Sequence, residues 1–199
     1  MVSTKGQKDD RSGTEIRYLT LREVLSIHEE TMKSSGGSRG ILTIGNVEFA
    51  LDFIQIQPFS MSINDLFMKC AILGRAIIQG HPFIDGNKRT GIEVIDYFLN
   101  KNGYTLRTDV STGIIFTIEV ATGSLRLEEI ADWIRSHSEK SINNELMVEE
   151  PEVKYMIEQK SDDHRKKREN PYGIPDESLA MIRASIKRNK KLLEELAKY

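Results

Sequence analysis

Apolar residues recur with helical spacing through most of the first 138 positions, and the breaks between them are marked by turn and capping residues. Thr20-Leu21-Arg22-Glu23 has the spacing of a capping box, with Leu21, Val24, Leu25 and His28 on one face behind it. Ser34-Ser35-Gly36-Gly37-Ser38-Arg39-Gly40 breaks that helix. Asn46 is placed to cap a helix through Val47, Ala50, Leu51 and Ile54, which Pro58 ends. Ser62-Ile63-Asn64-Asp65 offers the next start, and the apolar run Leu66–Ile78 continues it to Gly80. Ile92, Val94, Ile95, Phe98 and Leu99 predict another helix, with Gly86-Asn87 at its entrance and Asn102-Gly103 closing it. Gly103–Leu106 reads as a short strand or a loop. Ser111 or Thr112 begins a further helix ending at Gly123, and Leu125–Ile134 is amphipathic with Glu128, Glu129, Asp132 and Arg135 outside. The expected fold is an all-α domain over residues 18–138, preceded by a disordered leader at 1–17.

Composition changes after Lys140. Residues 140–199 hold thirteen Lys/Arg and twelve Asp/Glu, and Pro151, the basic run His164–Arg168 and Asn170-Pro171-Tyr172-Gly173-Ile174-Pro175 argue against a compact core there. Residues 139–175 therefore read as a flexible, charged linker. Beyond Pro175, Leu179, Ile182, Ile186, Asn189, Leu193 and Leu196 follow an a/d seam with one polar interruption. That seam predicts a helix at 176–198 used for association, through a second copy (a homodimer) or a partner, in preference to docking back on residues 18–138.

The chain's formal net charge is −2, which gives no electrostatic reason to expect nucleic acid or an anionic membrane as partner. Cys70 is the only cysteine, so there is no disulfide framework and no cysteine-based metal site. No run reaches the length of a membrane span and no signal-peptide pattern is present, so the expected location is the cytoplasm.

The chemistry lies in His81-Pro82-Phe83-Ile84-Asp85-Gly86-Asn87-Lys88-Arg89-Thr90-Gly91, a loop between two helices. The first N–H groups of a helix lack internal partners and favour an anion in front of them. Gly86 allows close backbone approach, and Lys88 and Arg89 add positive charge. His81 can accept a hydroxyl proton near neutral pH, and Asp85 is a hard oxygen ligand suited to Mg²⁺ beside substrate phosphates. Singly, each residue has a bland reading: His81 and Asp85 as helix caps, Lys88 and Arg89 as a solvated face. Together they are the parts of a phosphoryl or nucleotidyl transfer site. His28, on an apolar helical face, reads as a hydrogen-bonded core residue, and Phe83 and Trp133 as core.

This stretch resembles the signature of the Fic/Doc proteins, which modify hydroxyl groups on target proteins with nucleotide-derived groups. The resemblance implies a Fic/Doc-like helical bundle with ATP as co-substrate and Mg²⁺ as cofactor. It implies His81 as catalytic base, Asp85 as metal ligand, Gly86, Asn87 and Lys88 as a phosphate-binding helix start, and Arg89 as phosphate clamp. Family members that transfer AMP usually have Gly where this chain has Lys88 and a second Arg where it has Ile92, so the pattern is similar to the Doc-like branch. That branch implies phosphorylation of a target protein by the toxin of a toxin–antitoxin pair, with an antitoxin as partner and a translation factor as target by analogy. The alternatives are AMP transfer by the same site, and a catalytically silent member that only binds a partner. Ser141-Ile142-Asn143-Asn144-Glu145 matches the first five positions of a self-inhibitory pattern found in some Fic proteins, but Leu146 breaks the sixth.

Overall fold

A computed structural model describes residues 16–56, 63–141 and 169–199. Among them are seven helices and one two-stranded sheet: α1 (Leu21–Ser35), α2 (Gly45–Ile56), α3 (Ile63–Ile78), α4 (Asn87–Lys101), β1 (Tyr104–Leu106), α5 (Val110–Thr122), α6 (Leu127–Ser136), β2 (Ser138–Lys140) and α7 (Asp176–Leu196). The protein is all-α, as its periodicity predicts.

α4 is the axis of the fold. Every residue from Arg89 to Leu99 is buried, because α4 packs against α1, α3, α5, α7 and β1. Apolar side chains make up most of its buried surface, and the buried acids Glu93 and Asp96 face α7. The neighbouring α1 starts at the expected capping box: Thr20 N–H donates to Glu23 Oε2 at 2.8 Å, and Glu23 N–H donates to Thr20 Oγ1 at 3.3 Å. Glu23 also accepts from Tyr97 Oη at 3.0 Å and Lys101 Nζ at 2.8 Å, tying the start of α1 to the end of α4. Burial works against the Glu23 charge, but these donors outweigh it and its pKa falls below the usual carboxyl value.

Local boundaries move where backbone partners decide them. The expected cap Asn46 lies inside α2, whose first turn instead uses the Ile44 carbonyl, which accepts from Val47 N at 2.9 Å and Glu48 N at 3.0 Å. α5 begins earlier than Ser111, since Asp109 Oδ1 accepts from Thr112 N at 3.0 Å and caps it. Residues 104–106 are a strand, because Ser138–Lys140 pairs with them antiparallel, Thr105 opposite Glu139. Order extends to Arg17, whose backbone exchanges two hydrogen bonds with the Asn102 side chain. Trp133 stacks between Phe116 and His137, a packing role. His164–Arg168, Pro58, Pro151, Ser62 and most of the Ser141–Leu146 pattern lie outside the described residues.

The tail differs most from expectation. α7 starts after Pro175 as predicted, but its seam is not open for association. Leu179, Ile182, Ile186, Leu193 and Leu196 belong to the same hydrophobic core as α1, α4 and α5. Asn189, expected to fix the register of a coiled coil, donates instead to Glu93 and Asp96 of α4. Ordered packing also begins before residue 176, since Ile174 is buried and Asn170 closes a turn over it through two hydrogen bonds. No helix among the described residues is long and apolar enough to cross a membrane.

Candidate active site

Residues 79–86 turn the chain from α3 into α4. Gly86, the N-cap, sits in the left-handed region at φ 74°, ψ 14°, and a Cβ there would run into the buried Met32 side chain. Having no side chain, Gly86 makes no capping bond, so the first N–H groups of α4 keep their donor capacity. Gly86→Ala is expected to cost about 1–2 kcal/mol from backbone conformation alone, more if Met32 cannot move. Thermal unfolding checks this; an unchanged midpoint would mean the turn is not held in this geometry.

Side chains behind the loop make it rigid. Asn87 Oδ1 accepts from Phe83 N–H at 2.9 Å, and Asn87 Nδ2 donates to the Phe83 carbonyl at 2.9 Å. The chain at 40–43 pairs with the loop from the other side: Leu42 N donates to the Pro82 carbonyl at 2.8 Å, and Ile84 N donates to that of Gly40 at 3.0 Å. His28 stacks on Phe83 with ring centres 3.8 Å apart, and its Nδ1 lies 3.0 Å from Thr90 Oγ1. Burial, with the charges of Arg89 and Arg39, drives the His28 pKa down to about 4 against the pull of Asp85. His28 is therefore a neutral core histidine, as its place on an apolar helical face suggests. His81 stands at the mouth of this frame, exposed and at φ 45°. Non-glycine residues in that region are uncommon and cluster at functional sites.

The charged residues divide into outward and inward sets. Asp85 is partly exposed; its Oδ1 accepts from Gly86 N at 2.5 Å and Arg89 Nη2 at 3.0 Å, and its Oδ2 from Ser38 N at 3.2 Å. Burial by itself would raise the Asp85 pKa, but these donors and the Arg89 charge prevail, and the carboxyl stays below its usual range. Lys88 is half-buried, with Nζ 3.3 Å from the Tyr199 carbonyl. Arg89 is only 4% exposed. Its Nη1 donates to Ser35 Oγ at 2.8 Å and to the Gly36 carbonyl at 2.6 Å, so it grips the carbonyl end of α1.

The sequence profile described as "Fic/DOC family" matches residues 18–99. The chain is also 28% identical over 120 residues to the "Protein kinase doc" of Escherichia phage P1, an alignment covering 60% of this chain and 94% of that protein. Residues 18–99 match the Fic/Doc family. Within it, the similarity to the phage kinase agrees with the Doc-like pattern at 88 and 92.

On this Doc-like frame the motif residues separate by accessibility. His81 is exposed, Asp85 and Lys88 are half-buried, and Gly86 forms the start of α4. The Asn87 side chain is committed to closing the loop, so what residue 87 offers an anion is its backbone N–H. Arg89 is already bound to α1 and Asp85, and would reach a phosphate only by exchanging those partners. The site's supports on α1 and after it, Ser35, Gly36 and Ser38, are not visible as site residues in the sequence. Their one signal is the Gly-Gly break, where a Cβ on Gly37 would collide with the Asp85 carboxylate. Asp85 suits Mg²⁺: its carboxylate is ionised and its side chain 42% exposed. Mg²⁺ commonly takes one or two carboxylates and fills its shell with water and phosphate. Among the described residues no cluster of three or more metal-ligating side chains forms a self-sufficient cage.

Proposed function

We propose that this Doc-like protein transfers the γ-phosphoryl group of ATP to a hydroxyl on a target protein, acting as the toxin of a toxin–antitoxin pair. The observation that carries the direction of transfer is the face of α4 at its start. Lys88 is a long cation at the first turn, and Ile92, where AMP-transferring relatives carry a second arginine, is fully buried in the core. A phosphate group cannot be held at 92 without opening that core. One phosphate cradle and one nearby cation suit a nucleotide that presents its terminal phosphate.

In this reading His81 accepts the proton of the target hydroxyl as its oxygen bonds to the γ-phosphorus. The bond from that phosphorus to the β-bridging oxygen breaks, and ADP leaves. The N–H groups at the start of α4 and Lys88 stabilise the negative charge that gathers on the transferred group. Mg²⁺ held by Asp85 would neutralise phosphate charge. The segment at 40–43, hydrogen-bonded to the motif loop and bearing the exposed side chains of Ile41 and Leu42 beside Ile84, would present the target strand.

Intact-mass analysis of a target incubated with the protein and Mg-ATP tests the reaction. A gain of about 80 daltons is expected, and about 329 daltons would instead mean AMP transfer. ATP binding with no change in target mass would mark a silent, partner-binding member.

A further inference from the structure

Further along α4, the α4–α7 interface buries two acids, Glu93 and Asp96, at 1% and 0% exposure. Ser185 Oγ lies 2.7 Å from Glu93 Oε2 and 2.8 Å from Asp96 Oδ2. A hydroxyl has one proton to donate, so it cannot serve both carboxylates. A second proton is needed between these three groups. Asp96 is the poorer place for it. Its Oδ2 already accepts from Arg188 Nη2 at 2.5 Å and Asn189 Nδ2 at 2.9 Å, and its Oδ1 from Leu106 N and Asn100 Nδ2, both at 3.0 Å. Apart from Ser185, Glu93 accepts among the described residues only from Asn189 Nδ2, at 2.8 Å. The geometry therefore places the proton on Glu93 Oε2, which donates to Ser185, which donates to Asp96. One guanidinium then faces one carboxylate, and the buried pocket is electrically balanced.

We infer that α7 is held on the motif helix by this proton, as a latch that acid closes and alkali loosens. The groups facing Glu93 fit the inference. α7 brings one cation, Arg188, with the neutral donors Ser185 and Asn189, while α4 brings Asp96. β1 adds a backbone N–H to Asp96. On α1, Glu30 pairs with Arg183 of α7 and with Lys33, which against the effect of burial hold its pKa below the ordinary carboxyl value so that this contact is lost only at lower pH, and Glu23 pairs with Lys101. α5 meets α7 through Gly113 against Leu192, and α3 meets α4 through Gly74 and Gly91 against Ile95 and Ile78.

Burial and the neighbouring Asp96 push the Glu93 pKa up to about 8 when α7 is docked. Released, the carboxyl returns to its ordinary value of 4.5. Glu93's contribution to docking is thus complete below the ordinary value and falls by up to tenfold per pH unit through the interval, levelling off above about 8. Docked α7 also brings the Tyr199 carbonyl to Lys88. Loosening the latch would free that cation for a phosphate, a consequence that rests on the function proposed above.

Hydrogen exchange of α7 amides in the full-length chain, corrected for intrinsic exchange rates, tests the latch without reference to activity. Protection of α7 should fall between about pH 6 and pH 8 and then level, with α3 amides showing no such slope. In Glu93→Gln the amide donates to Ser185 as the acid does, and the slope should vanish. A flat wild-type profile, a slope shared by α3, or the same slope in Glu93→Gln would overturn the inference. Should the variant not fold, carbon NMR of the wild-type glutamate carboxyls decides: one titrating near pH 8 supports the latch, and all titrating below about 6 refutes it.

Discussion

His81→Ala is expected to lower target phosphorylation by about 10²–10⁴-fold, the usual range for removing a general base, while leaving ATP binding nearly intact. The two effects separate because the structure separates the parts. His81 is exposed at the mouth of the loop, so its removal takes no packed side chain from the core. The proposed phosphate cradle is the start of α4, and the loop is held by Asn87, His28 and the 40–43 segment, none of which depends on the imidazole. Turnover measured beside calorimetric titration with Mg-ATP distinguishes the cases. Equal losses in binding and rate would make His81 part of the cradle, and undiminished turnover would remove it from the mechanism.

Truncation after residue 141 is expected to lower the unfolding midpoint sharply. α7 buries Leu179, Ile182, Ile186, Leu192, Leu193 and Leu196. At roughly 1.5–3 kcal/mol per fully buried aliphatic side chain, these six amount to about 9–18 kcal/mol, an upper estimate because unfolded chains already bury some surface. A third of that, about 3–6 kcal/mol, would still lower the midpoint by roughly 6–24 °C at 2–4 °C per kcal/mol. Calorimetry of the truncated chain reads this directly. A midpoint equal to that of the full chain would restore the independent catalytic domain that the charged linker suggests.

That contrast shows what kind of information the sequence carries. The capping box at Thr20 and Glu23 and the Gly86-Asn87 helix start are legible because the deciding contacts lie within four residues. His28 is legible as core from its face of the helix. The extended stretch at 104–106 is visible, but its partner Ser138–Lys140 is not, since nothing local announces the pairing. Nothing local marks Glu93 and Asp96 as buried; Ser185, Arg188 and Asn189, 89–96 residues away on α7, cover them. Likewise Arg89 reads as a free clamp until the end of α1 is seen to hold it. Geometry confined to a few neighbouring residues is legible in the sequence, whereas the tertiary partners of charged residues are not.

Transfer of label from ATP carrying radioactive phosphorus at a single position tests the central claim most directly. With a bacterial extract as the source of targets, label at the γ-position should appear on protein with the wild-type chain and be nearly absent with His81→Ala, and label at the α-position should not transfer. Transfer from the α-position alone would contradict phosphoryl transfer and assign AMP transfer to the site instead.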